Sequence, residues 1–142
     1  MNLSVRKARV EHTGAVQELY ETLFPADGPF KAWATPDVIW FVALDDKKVV
    51  GFAGVRFIRR SKTAELVISG VATTHQGRGI QRRLISARER AARKVGMTRA
   101  VSYTIPQNAP SATNLAKRGY STYRPKTAWS GRRSVVYWEK RL

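Results

Sequence analysis

Apolar positions recur along the chain with two periods, and the change of period marks its elements. Residues 3–7 alternate apolar and basic side chains, which predicts a half-buried strand. Thr13 or His12 then opens a helix in which Val16, Leu19, Tyr20, Leu23 and Phe24 return at steps of three and four until Pro25 ends it. The stretch 25–36 is dense in Pro and Gly and carries Phe30 and Trp33, reading as a long ordered loop or a short broken helix. Residues 39–44 and 49–58 are rich in β-branched and aromatic side chains, and the polar turn Asp45-Asp46-Lys47-Lys48 joins them into a hairpin. Lys62-Thr63 leads into a further strand bearing Glu65 and running to Val71.

A helical period then takes over, with Ile80, Leu84, Ala87, Ala91 and Val95 on one stripe and Gly96 as the C-terminal stop. Residues 99–105 have the composition of a buried strand. Asn108 is a good N-cap, Pro110 is tolerated in a first turn, and Gly119 closes a short helix. Tyr123, Trp129, Val135, Val136, Tyr137 and Trp138, interrupted by Ser130-Gly131-Arg132-Arg133, predict a final hairpin with an arginine tip. Three strands on tight turns followed by strand, helix and strand imply an α/β (α+β) fold whose sheet passes from antiparallel to parallel.

Composition changes this picture in three ways. A length of 142 residues with 43% hydrophobic content suits one core, so a single domain over 1–142 is expected. No apolar run approaches ~18 residues and residues 1–10 lack the apolar segment of a secretory signal, so no membrane insertion and a cytoplasmic location are expected. The absence of cysteine excludes thiol nucleophiles and cysteine-based zinc sites, and His12 and His75 stand alone, so no metal is expected. The charge is unusual: 26 Lys plus Arg against 10 Asp plus Glu gives +16, which predicts attraction to polyanions such as nucleic acid or ribosome, or a solvated basic surface.

The chemistry concentrates where the strand ending at Val71 feeds the helix after Gly79. Gly77 and Gly79 allow positive φ and close approach of the main chain, and the first helical turn leaves N–H donors free. These donors and the helix dipole favour a phosphate or pyrophosphate. Arg82 and Arg83 stand where the dipole disfavours cations, so they extend into water or hold a bound anion. A Walker loop is excluded because Ile80-Gln81 occupies the place of its Lys-Ser/Thr pair, and a dinucleotide fingerprint because the turn has two glycines rather than three.

What the turn resembles is the Gln/Arg-x-x-Gly-x-Gly/Ala signature of the GNAT superfamily of acyl-CoA-dependent N-acetyltransferases, with Gln76, Gly79 and Gln81 at its three positions. Gln81 departs from the usual Gly or Ala: the cofactor shifts, or the amide swings out and adds a donor. The segment from Asn108 to Gly119-Tyr120 is similar to the second motif of that superfamily, without insertion, so the match spans most of residues 39–120. The resemblance implies a sheet of about six to seven strands flanked by about four helices, acetyl-CoA as co-substrate, and a monomer or homodimer. By the same resemblance, Ser69, Gly70, Val71, Ala72 and Thr73 would run along the pantetheine arm, with an N–H polarising the thioester carbonyl and Gly70 easing a bulge. Gln76, Gly77, Arg78, Gly79, Ile80, Gln81 and Arg82 would hold the diphosphate, with Asn108 and Ser111 beside it.

A lysine-like ammonium is protonated at neutral pH, and freeing its lone pair costs roughly 4.6 kcal/mol, so a base is useful. The resemblance points to Glu65, set between Ala64 and Leu66 on an apolar strand that would raise its pKa; the structural alternative is a charge at a strand edge. Leu115 occupies the place where many superfamily members carry a Tyr general acid, leaving Tyr120, Tyr103 and Tyr123 as stand-ins, each equally suited to the core. The expected activity is acetyl transfer to a primary amine by direct attack in a ternary complex. The acceptor would be a protein or other macromolecule, or alternatively an aminoacyl-tRNA or nucleic-acid-associated amine. A non-catalytic GNAT-like binding module is the third reading.

Overall fold

The computed structural model describes residues 1–27 and 36–142, so the expectations placed on Phe30 and Trp33 lie outside the described residues. Seven strands form one sheet: β1 (Leu3–Lys7), β2 (Val38–Asp45), β3 (Lys48–Ile58), β4 (Thr63–Val71), β5 (Arg99–Thr104), β6 (Ser121–Tyr123) and β7 (Val136–Arg141). The order across it is β1-β2-β3-β4-β5-β7-β6. The β4–β5 pair is parallel and every other pair antiparallel. Three α-helices lie among the described residues, α1 (Thr13–Leu23), α2 (Ile80–Lys94) and α3 (Ala109–Lys117).

The periodicities explain which face each helix takes. Val16 and Tyr20 of α1 bury against Trp40, Val42, Leu44 and Phe52 on one side of the sheet. Ile80, Leu84, Ala87 and Ala92 of α2 bury against Val50, Val55, Ala64, Leu66 and Val71 on the other. Val95, at the end of the predicted stripe, is exposed, because the helix stops at Lys94 and Gly96 turns the chain with φ +86°.

Two features of the sheet shape the site. The parallel β4–β5 ladder holds only from Thr63–Arg99 to Glu65–Val101, after which the strands part. The bulge in β4 lies at Val67 and Ile68, which together oppose Gly54 of β3, rather than at Gly70. Gly70 serves packing instead: a Cβ there would stand 2.8 Å from Leu23 and 2.9 Å from Phe52.

The C-terminal hairpin is also rearranged relative to expectation. Its strands are short, residues 124–135 form a long connection, and β7 inserts between β5 and β6. Trp129 and Tyr103, Tyr123 and Tyr137 pack together under that connection, with Trp129 Nε1–H donated to the Tyr123 hydroxyl at 2.9 Å. Tyr137 is buried by this packing and the other three are partly buried.

Candidate active site

A cleft of about 720 Å³ opens at the start of α2 and runs between β4 and α3. One end of it is built by the glycine turn. Gly77 and Gly79 have φ +77° and +78°, and no side chain caps α2, so its first-turn amides point out of the helix without a protein acceptor at the cap. The start of α3 is the opposite case: Asn108 Oδ1 accepts from Ser111 N–H at 3.2 Å and satisfies that end.

The loop between β4 and α2 is pinned from both sides. Gln76 Nε2–H donates to Val71 O at 3.0 Å, and His75 Nε2–H meets Asp45 Oδ2 of the β2–β3 turn at 2.9 Å. That hydrogen bond, joined by the one from the Asn2 amide, lowers the Asp45 pKa below the ordinary carboxylate value. His75 lines the cleft, and its other nitrogen lies 2.8 Å from Thr74 Oγ1.

Most of the residues expected for the cofactor come together here. Ser69, Gly70 and Val71 form the β4 wall, and Gln76, Gly77, Gly79 and Ile80 form the turn. Gln81 and Arg82 close the α2 side, and Asn108 and Ser111 the α3 side. Gln81 does not plug the turn. Its Nε2–H donates to Ser69 Oγ at 3.1 Å, which draws the amide down onto β4, and its Oε1 is buried without a partner. Ala72, Thr73 and Arg78 are not among the lining residues; Arg78 turns away toward Met1, with Nη1 3.2 Å from Sδ.

The sequence reading did not single out Leu23 and Phe24 at the end of α1, or Asn114 and Lys117 on α3, all of which line the cleft. The α3 pair carried a signal: Asn108, Ser111, Asn114 and Lys117 recur at steps of three, a polar stripe opposite the buried Leu115.

Glu65 stands where β4 and β5 begin to part, on the α1 side of the sheet, and is not part of the cleft lining. Its side chain is 17% exposed, and Arg56 Nη1 lies 3.5 Å from Oε1, while Asp37 holds the same arginine at 3.0 Å. Burial raises its pKa above the ordinary carboxylate value, Arg56 opposes the rise and Asp37 adds to it. The carboxyl is therefore a better proton acceptor than an exposed glutamate.

Tyr120 is placed differently from its expected role. It is 4% exposed, lies outside the cleft, and gives its hydroxyl to Glu89 Oε2 at 2.9 Å. Burial first, then the negative charge of Glu89, push its pKa far above the usual value for tyrosine. A phenol so held is a poor proton donor to a leaving group. Among the described residues no group of acidic or histidine side chains is arranged to hold a metal ion.

The fold and cleft define an α/β domain with a long cleft beside a parted parallel strand pair and the uncapped start of one helix at its mouth. The profile of the Acetyltransferase (GNAT) family matches residues 6–120, and the chain belongs to that family.

Solved structures agree on the architecture. A putative acetyltransferase, YncA, from Salmonella typhimurium, solved with acetyl-CoA, superposes with a TM-score of 0.82 at 22% identity, covering 100% of this chain and 95% of its own. PaiA N-acetyltransferase from Thermoplasma acidophilum, solved with coenzyme A, gives 0.79 at 16% identity over 100% of both chains. The ribosomal-protein-S18-alanine N-acetyltransferase of Escherichia coli gives 0.78 at 16% identity, covering 99% of this chain and 94% of its own. A comparison with curated proteins gave no match.

Proposed function

We propose that the protein transfers the acetyl group of acetyl-CoA to a primary amine of a macromolecule by direct attack while both substrates are bound. The observation that carries this reading is the parting of β4 from β5 after the Glu65–Val101 pair. It opens the sheet between the α2 side, where the uncapped helix meets the diphosphate, and the α1 side, where Glu65 sits. A thioester entering from one side and an amine from the other can meet in the gap. The chain has no cysteine to carry an acyl-enzyme, which favours attack by the amine itself.

In this scheme a main-chain N–H near Ser69 polarises the thioester carbonyl, and Glu65 accepts the proton that the amine sheds. Ser69, Gln81, Asn108 and Ser111 line the path of the pantetheine arm, and Gln76, Gly77, Gly79 and Arg82 the diphosphate end. The net charge of +16 supports an acceptor displayed on or beside a polyanion.

An amine attached to RNA, such as that of an aminoacyl-tRNA, is the second reading, and one observation favours it. Arg82, Arg83, Arg90 and Arg118 line a groove of about 350 Å³ beside the cleft mouth. The single acidic residue of α2, Glu89, is buried and, among the described residues, reaches only Arg118 of these four, at 3.8 Å.

Incubation of the purified protein and labelled acetyl-CoA with a cell lysate, with and without RNase, tests both readings. Label in protein that survives RNase supports the first, and RNase-sensitive label the second. No label, together with no rise in melting temperature on adding acetyl-CoA, rejects acetyl transfer.

A further inference from the structure

We propose that Arg88 stabilises the thiolate released when the acyl–sulfur bond breaks, an assignment that rests on the acetyl-CoA reading above. Arg88 lies on α2 beneath the β4 bulge and is 3% exposed. Its Nε–H donates to Leu84 O at 3.2 Å, and Nη1–H to Gly54 O and Val67 O at 3.1 and 3.3 Å. These bonds leave Nη2 without a protein acceptor among the described residues.

No carboxylate shares an ion pair with Arg88 among the described residues. The neighbouring Glu89 faces the other way, with Lys140 at 3.0 Å and Arg118 at 3.8 Å. Burial lowers the Arg88 pKa to about 10, so the guanidinium keeps its charge at neutral pH. A buried cation that borders a pocket and keeps one donor edge unused by protein can receive an anion there.

The surroundings specify which anion. Arg88 borders a pocket of about 60 Å³ between β4 and β5, which shares Gln81, Ser111 and Asn114 with the inner end of the main cleft. That space has room for a sulfur atom at the end of a pantetheine arm lying in the cleft. Ser111, Asn114 and Leu115 form the wall contributed by α3, so α3 brings no titratable group to the pocket. β5 contributes one, Tyr103, and β4 contributes none.

The step then balances as follows. The amine nitrogen bonds to the thioester carbon, its proton passes to Glu65, and the carbon–sulfur bond breaks with its electron pair remaining on sulfur. Arg88 holds that charge in a low-dielectric site, and the thiolate takes a proton from water on leaving.

The test uses CoA, which has a free thiol, with acetyl-CoA as the control that has none. Calorimetry near pH 8 in buffers of different ionisation enthalpy counts the protons released on binding. Wild type is expected to release protons with CoA and none with acetyl-CoA, as follows if binding raises the acid dissociation constant of the thiol about tenfold. Arg88→Gln should lose that release while still binding acetyl-CoA, which shows that it folds; Arg88→Lys and Tyr103→Phe should keep it.

In turnover, Arg88→Gln should lower kcat by about a hundredfold with little change in the acetyl-CoA KM, and adding Leu115→Tyr should restore part of the rate. No proton release in wild type, undiminished release in Arg88→Gln, or its loss in Tyr103→Phe overturns the assignment. Failure of wild type to bind CoA overturns it together with the cofactor reading. Proton release without acyl transfer to any acceptor supports the thiolate site and rejects the proposed activity alone.

Discussion

The Tyr120 hydroxyl is donated to Glu89 Oε2 at 2.9 Å, and this bond ties the start of the C-terminal hairpin to the inner face of α2. Lys140 of β7 adds Nζ at 3.0 Å to the same oxygen, so the carboxylate, 1% exposed, joins three elements. Tyr120→Phe removes one of its partners and none of the cleft. Stability should fall by about 1–2 kcal/mol in urea unfolding, while kcat stays within about twofold. A large loss of kcat at unchanged stability would restore Tyr120 to the chemistry.

Glu65→Gln should lower turnover at neutral pH and leave acetyl-CoA affinity unchanged, because Glu65 lies outside the cofactor cleft. Wild-type rate should climb as pH rises through the Glu65 pKa, which is raised by burial, and the variant should lack that limb.

The same substitution makes a stability prediction of definite sign. A carboxyl whose folded pKa is raised favours the folded state most below its unfolded pKa, and that contribution is lost as pH climbs through the folded value. At neutral pH the variant should therefore melt no lower than wild type, and slightly higher, since Arg56 retains Asp37 at 3.0 Å. A clear drop in melting temperature would show that the Arg56 pair outweighs desolvation.

Gly79→Ala and Gly79→Trp separate backbone strain from blockage. The position has φ +78°, so any L side chain costs about 1–2 kcal/mol there. Alanine should reduce stability by that amount and still bind acetyl-CoA. Tryptophan should add obstruction of the free amides, so that acetyl-CoA at saturating concentration no longer raises the melting temperature.

Gly70→Val probes the junction of α1 with the sheet. Its Cβ would lie 2.8 Å from Leu23 Cδ1 and 2.9 Å from Phe52, and both neighbours are held by core packing. A loss of about 1–3 kcal/mol is expected from overpacking, measured by denaturant unfolding.

Local chemistry was the legible part of the sequence. The β2–β3 hairpin, the two helices flanking β5 and the glycine turn each follow from signals within about twenty residues: a polar turn, a 3.6-residue stripe, an N-cap. The family resemblance added the order of the motifs. What stayed hidden depends on contacts between distant residues. Nothing local in residues 121–142 says that β7 enters between β5 and β6. The bulge at Val67–Ile68 is fixed by its opposition to Gly54, not by the glycine three positions later. Arg88 and Glu89 sit in a helix whose composition reads as a basic surface, and both are buried because partners from β3, β4 and β7 reach them. The bond Tyr120 makes is hidden for the same reason, since its partner lies 31 residues away.

The place of β7 in the sheet bears on how the molecule comes into being. β5 is half of the parting strand pair, and β7 is the neighbour that covers its far edge, pairing along the whole of residues 99–104. Until Val136–Arg141 has been made, β5 is an open border, Glu89 lacks its lysine, and the gap that would receive the thioester has only one firm lip. A nascent chain stalled before β7 should therefore be sensitive to protease and unable to hold coenzyme, maturing in one late cooperative step.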